Sequence, residues 1–261
     1  TPFPVEFTNA SLNGVNYSWD FGDGGASFDF EPDHDFDNTN ADTDTTFTIQ
    51  LIASATHTTS GLYCADTTTR TITVLPQLIP QFVPDVPVGC ADHAVTFTNT
   101  SSGGLLSFAW DFGDGHSQSG SSSGTHPDVS HTFTNRGSVD SLYTVRLTAT
   151  NREGCVRSVE ETVRVHPRVV AGFTMDFDGS CTPFPVEFTN ASLNGVNYSW
   201  DFGDGGESLD FEPDHDFDNT NADTDTTFTI QLIASATHTA TSGLYCADTT
   251  TRTITCLLYT S

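Results

Sequence analysis

The hexapeptide Trp-Asp-Phe-Gly-Asp-Gly stands at residues 19–24, 110–115 and 200–205. A chain that carries one turn sequence three times is built from one structural unit three times. Residues 1–25 recur letter for letter at 182–206, and the identity continues almost unbroken to the end of that copy. The stretch between them is a distant relative, with "VTFTNTS", "FAWDFGDG", "HTF" and "LYTVRLTAT" in the same order. The organisation is therefore A–B–A: a first repeat over 1–75, a middle repeat over 76–167 and a third over 168–261. Two near-identical copies so far apart point to tandem duplication, and the chain reads as a window on a longer array.

Each repeat reads as strands. In "TFTIQLIASAT" (46–56), Phe47, Ile49, Leu51, Ala53 and Ala55 share one face. "LYTVRLTAT" does the same with Tyr143, Val145, Leu147 and Ala149. Such alternation predicts sheets with one buried and one wet face, and short strands between Gly, Asn and Asp clusters predict a sandwich. In "YSWDFGDG", Tyr17, Trp19 and Phe21 share one parity. Trp19, Trp110 and Trp200 are thus expected in the core, with Gly-Asp-Gly as the turn that closes the strand. The embedded Asp-Phe-Gly is not a kinase motif: the chain has no Lys and so no phosphate-holding strand Lys.

These residues resemble the PKD domain family. The resemblance rests on the three "WDFGDG" turns, on the later His-x-Phe (His34 with Phe36, His131 with Phe133, His215 with Phe217), on "YTVRLTAT" and on the closing "TITV" or "VRV" strand. It implies an all-β chain of three tandem immunoglobulin-like sandwiches of about 80–90 residues each. It also implies extracellular spacers, adhesive stalks or accessory domains of secreted hydrolases. The His of the His-x-Phe signature is read as structural. One departure is the acidic insert "DNTNADTDT", which stands in the A repeats in place of Gly-x-Tyr before the late strand. Proline-bearing linkers, "LPQLIPQF" and "HPRVV", predict a semi-rigid rod. The first repeat lacks the opening strand that "AGFTMDF" gives the third, so truncation or a strand from a neighbour is expected there.

The net charge of −26 opposes nucleic acid and anionic membranes and attracts cations. No run approaches the roughly 18 apolar residues of a membrane helix. From Asp29 to Asp44 seven carboxylates crowd together. Asp33, Asp35, Asp37, Asp42 and Asp44, with Asn38 and Asn40, form an oxygen-rich set of the kind Ca²⁺ takes. The third repeat repeats it as Asp214, Asp216, Asp218, Asp223 and Asp225, with Asn219 and Asn221. The spacing is not that of an EF-hand, and the alternative is a solvated acidic loop. Ca²⁺ is the one cofactor suggested.

Cys90 and Cys155 lie 65 residues apart, as do Cys181 and Cys246, at equivalent places in their repeats. Equal spacing predicts disulfides Cys90–Cys155 and Cys181–Cys246, the alternative being free thiols. Such bridges suit an extracellular or cell-surface setting. Cys256 opens a tail, "CLLYTS", that abandons the repeat, and no bridge is assigned to it. No HExxH, GxSxG or Cys/His metal spacing is present, so no catalytic residue is named. A sugar-binding platform would need a spare Trp, and all three are assigned to the core; Asn9, Asn16, Asn99, Asn190 and Asn197 match glycosylation sequons.

The expected function is a non-catalytic structural segment, the stalk or filament of a surface adhesin. A module that directs a secreted hydrolase to carbohydrate or protein is the second reading. A filament subunit that assembles by strand exchange is the third. Expected partners are further repeats or identical subunits, and a surface glycan or protein.

Overall fold

In a computed structural model the chain is described except at residues 1, 41, 57–58, 122–126, 153, 177–182, 221–223, 239–242 and 258–261. The described residues form 21 strands and no helix. No helix is therefore long and apolar enough to cross a membrane. The chain divides into two compact units: Thr1–Val83 with Thr98–Asp128 and Arg146–Glu160, and Pro84–Phe97 with Val129–Val145 and Glu161–Ser261.

The first unit holds the whole first repeat. Strands β1 (Phe3–Glu6) and β4 (Asp33–Phe36) form a two-stranded sheet. Strands β2 (Asn16–Asp20), β3 (Ala26–Ser27), β5 (Thr45–Thr56) and β6 (Tyr63–Val74) form a second, in the order β3-β2-β5-β6. Trp19, Phe21, Phe36, Phe47, Ile49, Leu51 and Val74 form one buried cluster. From Thr46 to Leu51 the burial of β5 alternates as its sequence does, because successive side chains on a strand face opposite ways, whereas beyond it Ser54 is buried and Ala53 and Ala55 are half-buried. Strand β6 is Thr-rich and exposed almost to its end; Thr is β-branched and polar, and so suits a wet strand face. The middle repeat gives this unit strands β10 (Leu105–Asp111) and β11 (Ser117–Ser121), which are antiparallel. Trp110 lies here at 1 % exposure.

The second unit holds the third repeat with the same plan and one strand more. Strand β15 (Phe173–Asp176) lies beside β16 (Phe184–Asn190), which pairs on its other side with β19 (Asp214–Phe217). Strands β18 (Glu207–Ser208), β17 (Asn197–Asp201), β20 (Thr226–His238) and β21 (Leu244–Cys256) form the facing sheet in that order. Trp200, fully buried, sits in a cluster with Phe173, Phe188, Phe202 and Ile230. The middle repeat supplies antiparallel β9 (His93–Asn99) and β12 (Val129–Phe133). It also supplies β8 (Val88–Cys90), which runs parallel to the end of β14 (Val156–His166).

Candidate functional site

The repeated hexapeptide forms a turn whose two Asp side chains accept backbone N–H groups within it. The Asp20 carboxylate accepts the Gly22 N–H at 2.9 Å, and the Asp23 carboxylate accepts the Gly25 N–H at 2.8 Å. Gly22 has φ +76°, and a Cβ there would meet the Thr48 carbonyl oxygen at 2.5 Å, so no other residue fits. The third copy repeats both hydrogen bonds and the positive φ at Gly203.

The turn also explains the His of the second motif. His34 Nε2 lies 2.7 Å from Asp23 Oδ2, and its ring stacks on Phe21 at 3.9 Å. His215 does the same with Asp204 and Phe202, at 2.7 and 4.0 Å. The two signature motifs therefore lock each other. Burial raises the Asp23 carboxyl, but the His34 hydrogen bond, the Gly25 N–H and the His34 charge outweigh it and hold it below its ordinary 3.8; Asp204 behaves alike. A carboxylate with a depressed folded pKa stabilises the fold above its unfolded value, and that contribution is lost as pH falls through the folded value. Asp204→Asn is therefore expected to lower the melting temperature at pH 6, and the gap from wild type should begin to narrow as the pH falls below about 4. A gap that persists unchanged at pH 3 would count against this role.

The acidic segment does not make a cage. Asp33 and Asp35 point to solvent on alternate positions of β4, with His34 and Phe36 facing inward. Asp37 is exposed. Asn38 is buried: its amide donates to the carbonyls of Thr43 and Val74, and its Oδ1 accepts from Asn40 N–H and the Thr45 hydroxyl. The Asn40 amide is bound to Thr45 Oγ1 at 2.8 Å. Asp42 accepts the Gly103 N–H at 3.0 Å, and Asp44 pairs with Arg152 at 3.3 Å. Two of the expected calcium ligands thus hold the middle repeat. In the third copy Asp214, Asp216, Asp218 and Asp225 are exposed, and Asn219 repeats the bonds of Asn38 to Thr224, Cys256 and Thr226. Asn221 and Asp223 lie outside the described residues. Among the described residues, no group of three carboxylates or imidazoles within 4.8 Å of one another includes any of these positions. Ca²⁺ takes six to eight oxygens, and the described residues of this segment do not bring even three carboxylates together.

The role of Asn38 was legible yet unread. Asn135 makes the same pair of bonds in the middle repeat, to the carbonyls of Val139 and Val165, both at 2.8 Å. The motif is therefore His-x-Phe-x-Asn in all three repeats (His34 to Asn38, His131 to Asn135, His215 to Asn219), its Asn a clip between loop and closing strand that is buried in the first two repeats and half-buried in the third. Sequons have a similar explanation. Asn9, Asn99 and Asn190 accept the N–H of the residue two on (Ser11, Ser101, Ser192), and Asn9 and Asn99 are buried. A buried amide cannot be glycosylated in the folded chain.

The cysteines differ from the expected pairing. Cys90 is bonded to Cys246, with Cα atoms 5.7 Å apart, across 156 residues of sequence. Cys155 is a free, exposed thiol, as is Cys64; Cys256 is free and buried, which pushes its thiol pKa up. Cys181 lies outside the described residues. The reason is strand geometry. Cys90 is paired with His166, the last residue of β14, while Cys155 precedes the first residue of that 11-residue strand. About 35 Å of extended chain separates those ends, whereas a disulfide needs Cα atoms within about 7 Å.

Around that bond the middle and third repeats meet closely. His166 is buried, takes a 2.7 Å hydrogen bond with Asp140 through Nδ1, and stacks on His238 at 3.7 Å and 11°. Arg164 also reaches Asp140, at 3.2 Å. Burial and then the nearby His166 charge lower the His238 pKa. Ligand atoms of Asp140, His166 and His238 lie within 4.8 Å of one another. Imidazole lone pairs lie in the ring plane, so two parallel stacked rings cannot both address one ion as they stand. Asn194, at φ 60°, donates its amide to the carbonyls of Gly137 and Arg168 at 3.0 and 2.8 Å.

Buried Trp residues between antiparallel sheets, with the repeated turn closing the Trp strand, define a class: tandem immunoglobulin-like β-sandwich repeats. Within it, residues 88–167, the middle repeat, match the PKD domain model. No curated protein matches the chain. Solved structures to which the chain is similar include extracellular cadherin segments. They include protocadherin gamma B7 domains 1–4 (10 % identity, TM-score 0.34, 98 % of this chain and 66 % of that one) and protocadherin gamma B2 domains 3–6 (11 %, 0.35, 95 % and 66 %). The protocadherin gamma B4 extracellular domain is a third (12 %, 0.33, 93 % and 42 %). The chain thus spans 66 % or less of the lengths of these structures, and at such TM-scores the likeness carries no functional inference.

Proposed function

We propose that the chain is a non-catalytic, load-bearing segment of an extracellular or cell-surface protein, built of three sandwiches over 1–75, 76–167 and 168–261, with adhesin stalks as the setting. The observation that carries this reading is the Cys90–Cys246 bond, which ties the middle repeat covalently to the third. A disulfide persists in an oxidising compartment and withstands pulling that non-covalent strands do not. The Asp42 and Asp44 contacts to Gly103 and Arg152 act in the same sense between the first and middle repeats. Arg152 and Asp44 are open to solvent, so that ion pair contributes little, about 0–1 kcal/mol.

On this reading the remaining acidic residues keep a crowded surface hydrated and calcium is not structural. Saturating CaCl₂ or excess EDTA should leave the melting temperature within about 2 °C; a specific site filled to a hundred times its Kd would add about 2.7 kcal/mol and move it further. Pulling single molecules by their ends tests the mechanical reading. With the bond intact, the residues between Cys90 and Cys246 are shielded from force. Adding a reductant should release a further length of about 500–560 Å, from 156 residues at about 3.3–3.6 Å each. Equal final lengths in both conditions would refute it.

A further inference from the structure

The junction of the middle and third repeats is closed by two rungs that lie side by side. One is the Cys90–Cys246 bond. Cys90 is the register partner of His166 on the parallel pair β8 and β14, so their side chains share a face of that sheet. Cys246 is opposite Ala236 on β20 and β21, and His238 lies two residues beyond Ala236, on the same face. The second rung is therefore the His166–His238 stack, with ring centroids 3.7 Å apart and planes 11° from parallel. The covalent rung sits among apolar side chains: Val169, Ala171, Ala234 and Ala236, with Leu244 packed against them. The stack is the titratable part of the same closure.

The charges around the stack come mostly from the middle repeat. Asp140, in the loop before Ser141, lies 2.7 Å from His166 Nδ1 and takes Arg164 at 3.2 Å. The His166 hydrogen bond, and Arg164 after it, hold the Asp140 carboxyl below its ordinary 3.8. The ionised carboxylate accepts only, so Nδ1 of His166 carries the hydrogen and donates it. The His166 carbonyl takes the Ala91 N–H at 3.2 Å, and the next residue, Asp92, pairs with Arg168 at 3.5 Å. On the third-repeat side His238 is opposite Leu244, and the acid of β21, Asp248, accepts the Ala171 N–H at 2.9 Å. One carboxylate, Asp140, thus answers Arg164 and both imidazoles. A proton on each ring would set like charges face to face across 3.7 Å, one of them on His166, which is 2 % exposed.

We propose that the His166–His238 stack is a pH-sensitive clasp: it closes the junction at neutral pH, and acidification parts the rings by like-charge repulsion and frees the end of β20 from β14, while the Cys90–Cys246 bond keeps the repeats together. Burial first, and then the His166 charge, depress the His238 pKa from its ordinary 6.5, against the opposing pull of Asp140. A base with a depressed folded pKa stabilises the fold above its unfolded value, and that stability is lost as pH falls from 6.5 through the folded value. The clasp responds to protons and not to pulling, so it stands apart from the load-bearing reading.

Hydrogen exchange of the oxidised full chain, read by mass spectrometry at about pH 7.5 and about pH 5 and corrected for the intrinsic pH dependence of exchange, tests it. Peptides that contain the end of β14 or the Thr237–His238 end of β20 should exchange at least about threefold faster at the lower pH, with β17 unchanged. His238→Phe keeps a ring on His166 but takes up no proton, and should abolish the difference. In wild type the His238 ring, followed by NMR, should titrate below its ordinary 6.5. Equal protection at both pH values in wild type, a loss of the same size in β17, or the same loss in His238→Phe would overturn the proposal. So would a His238 midpoint at or above 6.5.

Discussion

The double variant Cys90→Ser, Cys246→Ser should melt about 6–12 °C below the oxidised wild type. The expectation follows from loop closure. The bond spans 156 residues, for which the chain-entropy model gives about 5 kcal/mol, and measured bridges more often give 2–4 kcal/mol. For a body of this size each kcal/mol moves the midpoint by about 2–4 °C. Reduction of the wild type with dithiothreitol should reproduce the shift, and Cys155→Ser should not, since Cys155 is a free, exposed thiol. A calorimetric scan would show the loss in the transition of the second unit, which contains both bonded cysteines. A shift under about 1 °C would mean that the bond contributes nothing to folding.

Trp200→Ala should be as damaging or more so. The indole is fully buried, packs on Phe173, Phe188 and Phe202, and donates its N–H to the Asp210 carbonyl at 3.0 Å. Truncation of a large buried aromatic costs about 3–5 kcal/mol, because transfer energy is lost and a cavity remains. The carbonyl also loses its partner. Trp19→Ala should cost less. Trp19 makes the same hydrogen bond, to Asp29 at 3.1 Å, but lacks the covering Phe and is already 5 % exposed. The ratio of the two penalties, read by urea unfolding, measures how much the Phe173 cover over Trp200 contributes. Equal penalties would mean that the cover over Trp200 adds no packing energy.

Much of this was legible beforehand, for physical reasons. Strand alternation in "TFTIQLIASAT" survives folding because the two faces of β5 meet water and core. The hexapeptide announced its turn because Gly22 occupies a backbone conformation that a side chain would block. Other features needed coordinates. Equal Cys spacing reports equivalent positions within repeats, and that equality holds whether each Cys bonds within its own repeat or, as Cys90 does with Cys246 across 156 residues, with the next. Only the distance from His166 back to Cys155 along β14 separates the two cases. The acidic segment misled in a different way. Composition counts oxygens but not directions, and β4 sends Asp33 and Asp35 outward while Asn38 turns in to bind carbonyls. The Asp23–His34 lock was hidden because its halves lie 11 residues apart in two separate motifs.

The central claim is that the middle repeat is tied covalently to the third through Cys90 and Cys246. Peptide mapping of the intact chain by mass spectrometry, without reduction and with free thiols blocked, tests it most directly. The account predicts a cross-linked pair that contains Cys90 and Cys246, with the blocking group on Cys155 and Cys64. A cross-linked pair that contains Cys90 and Cys155 would contradict it.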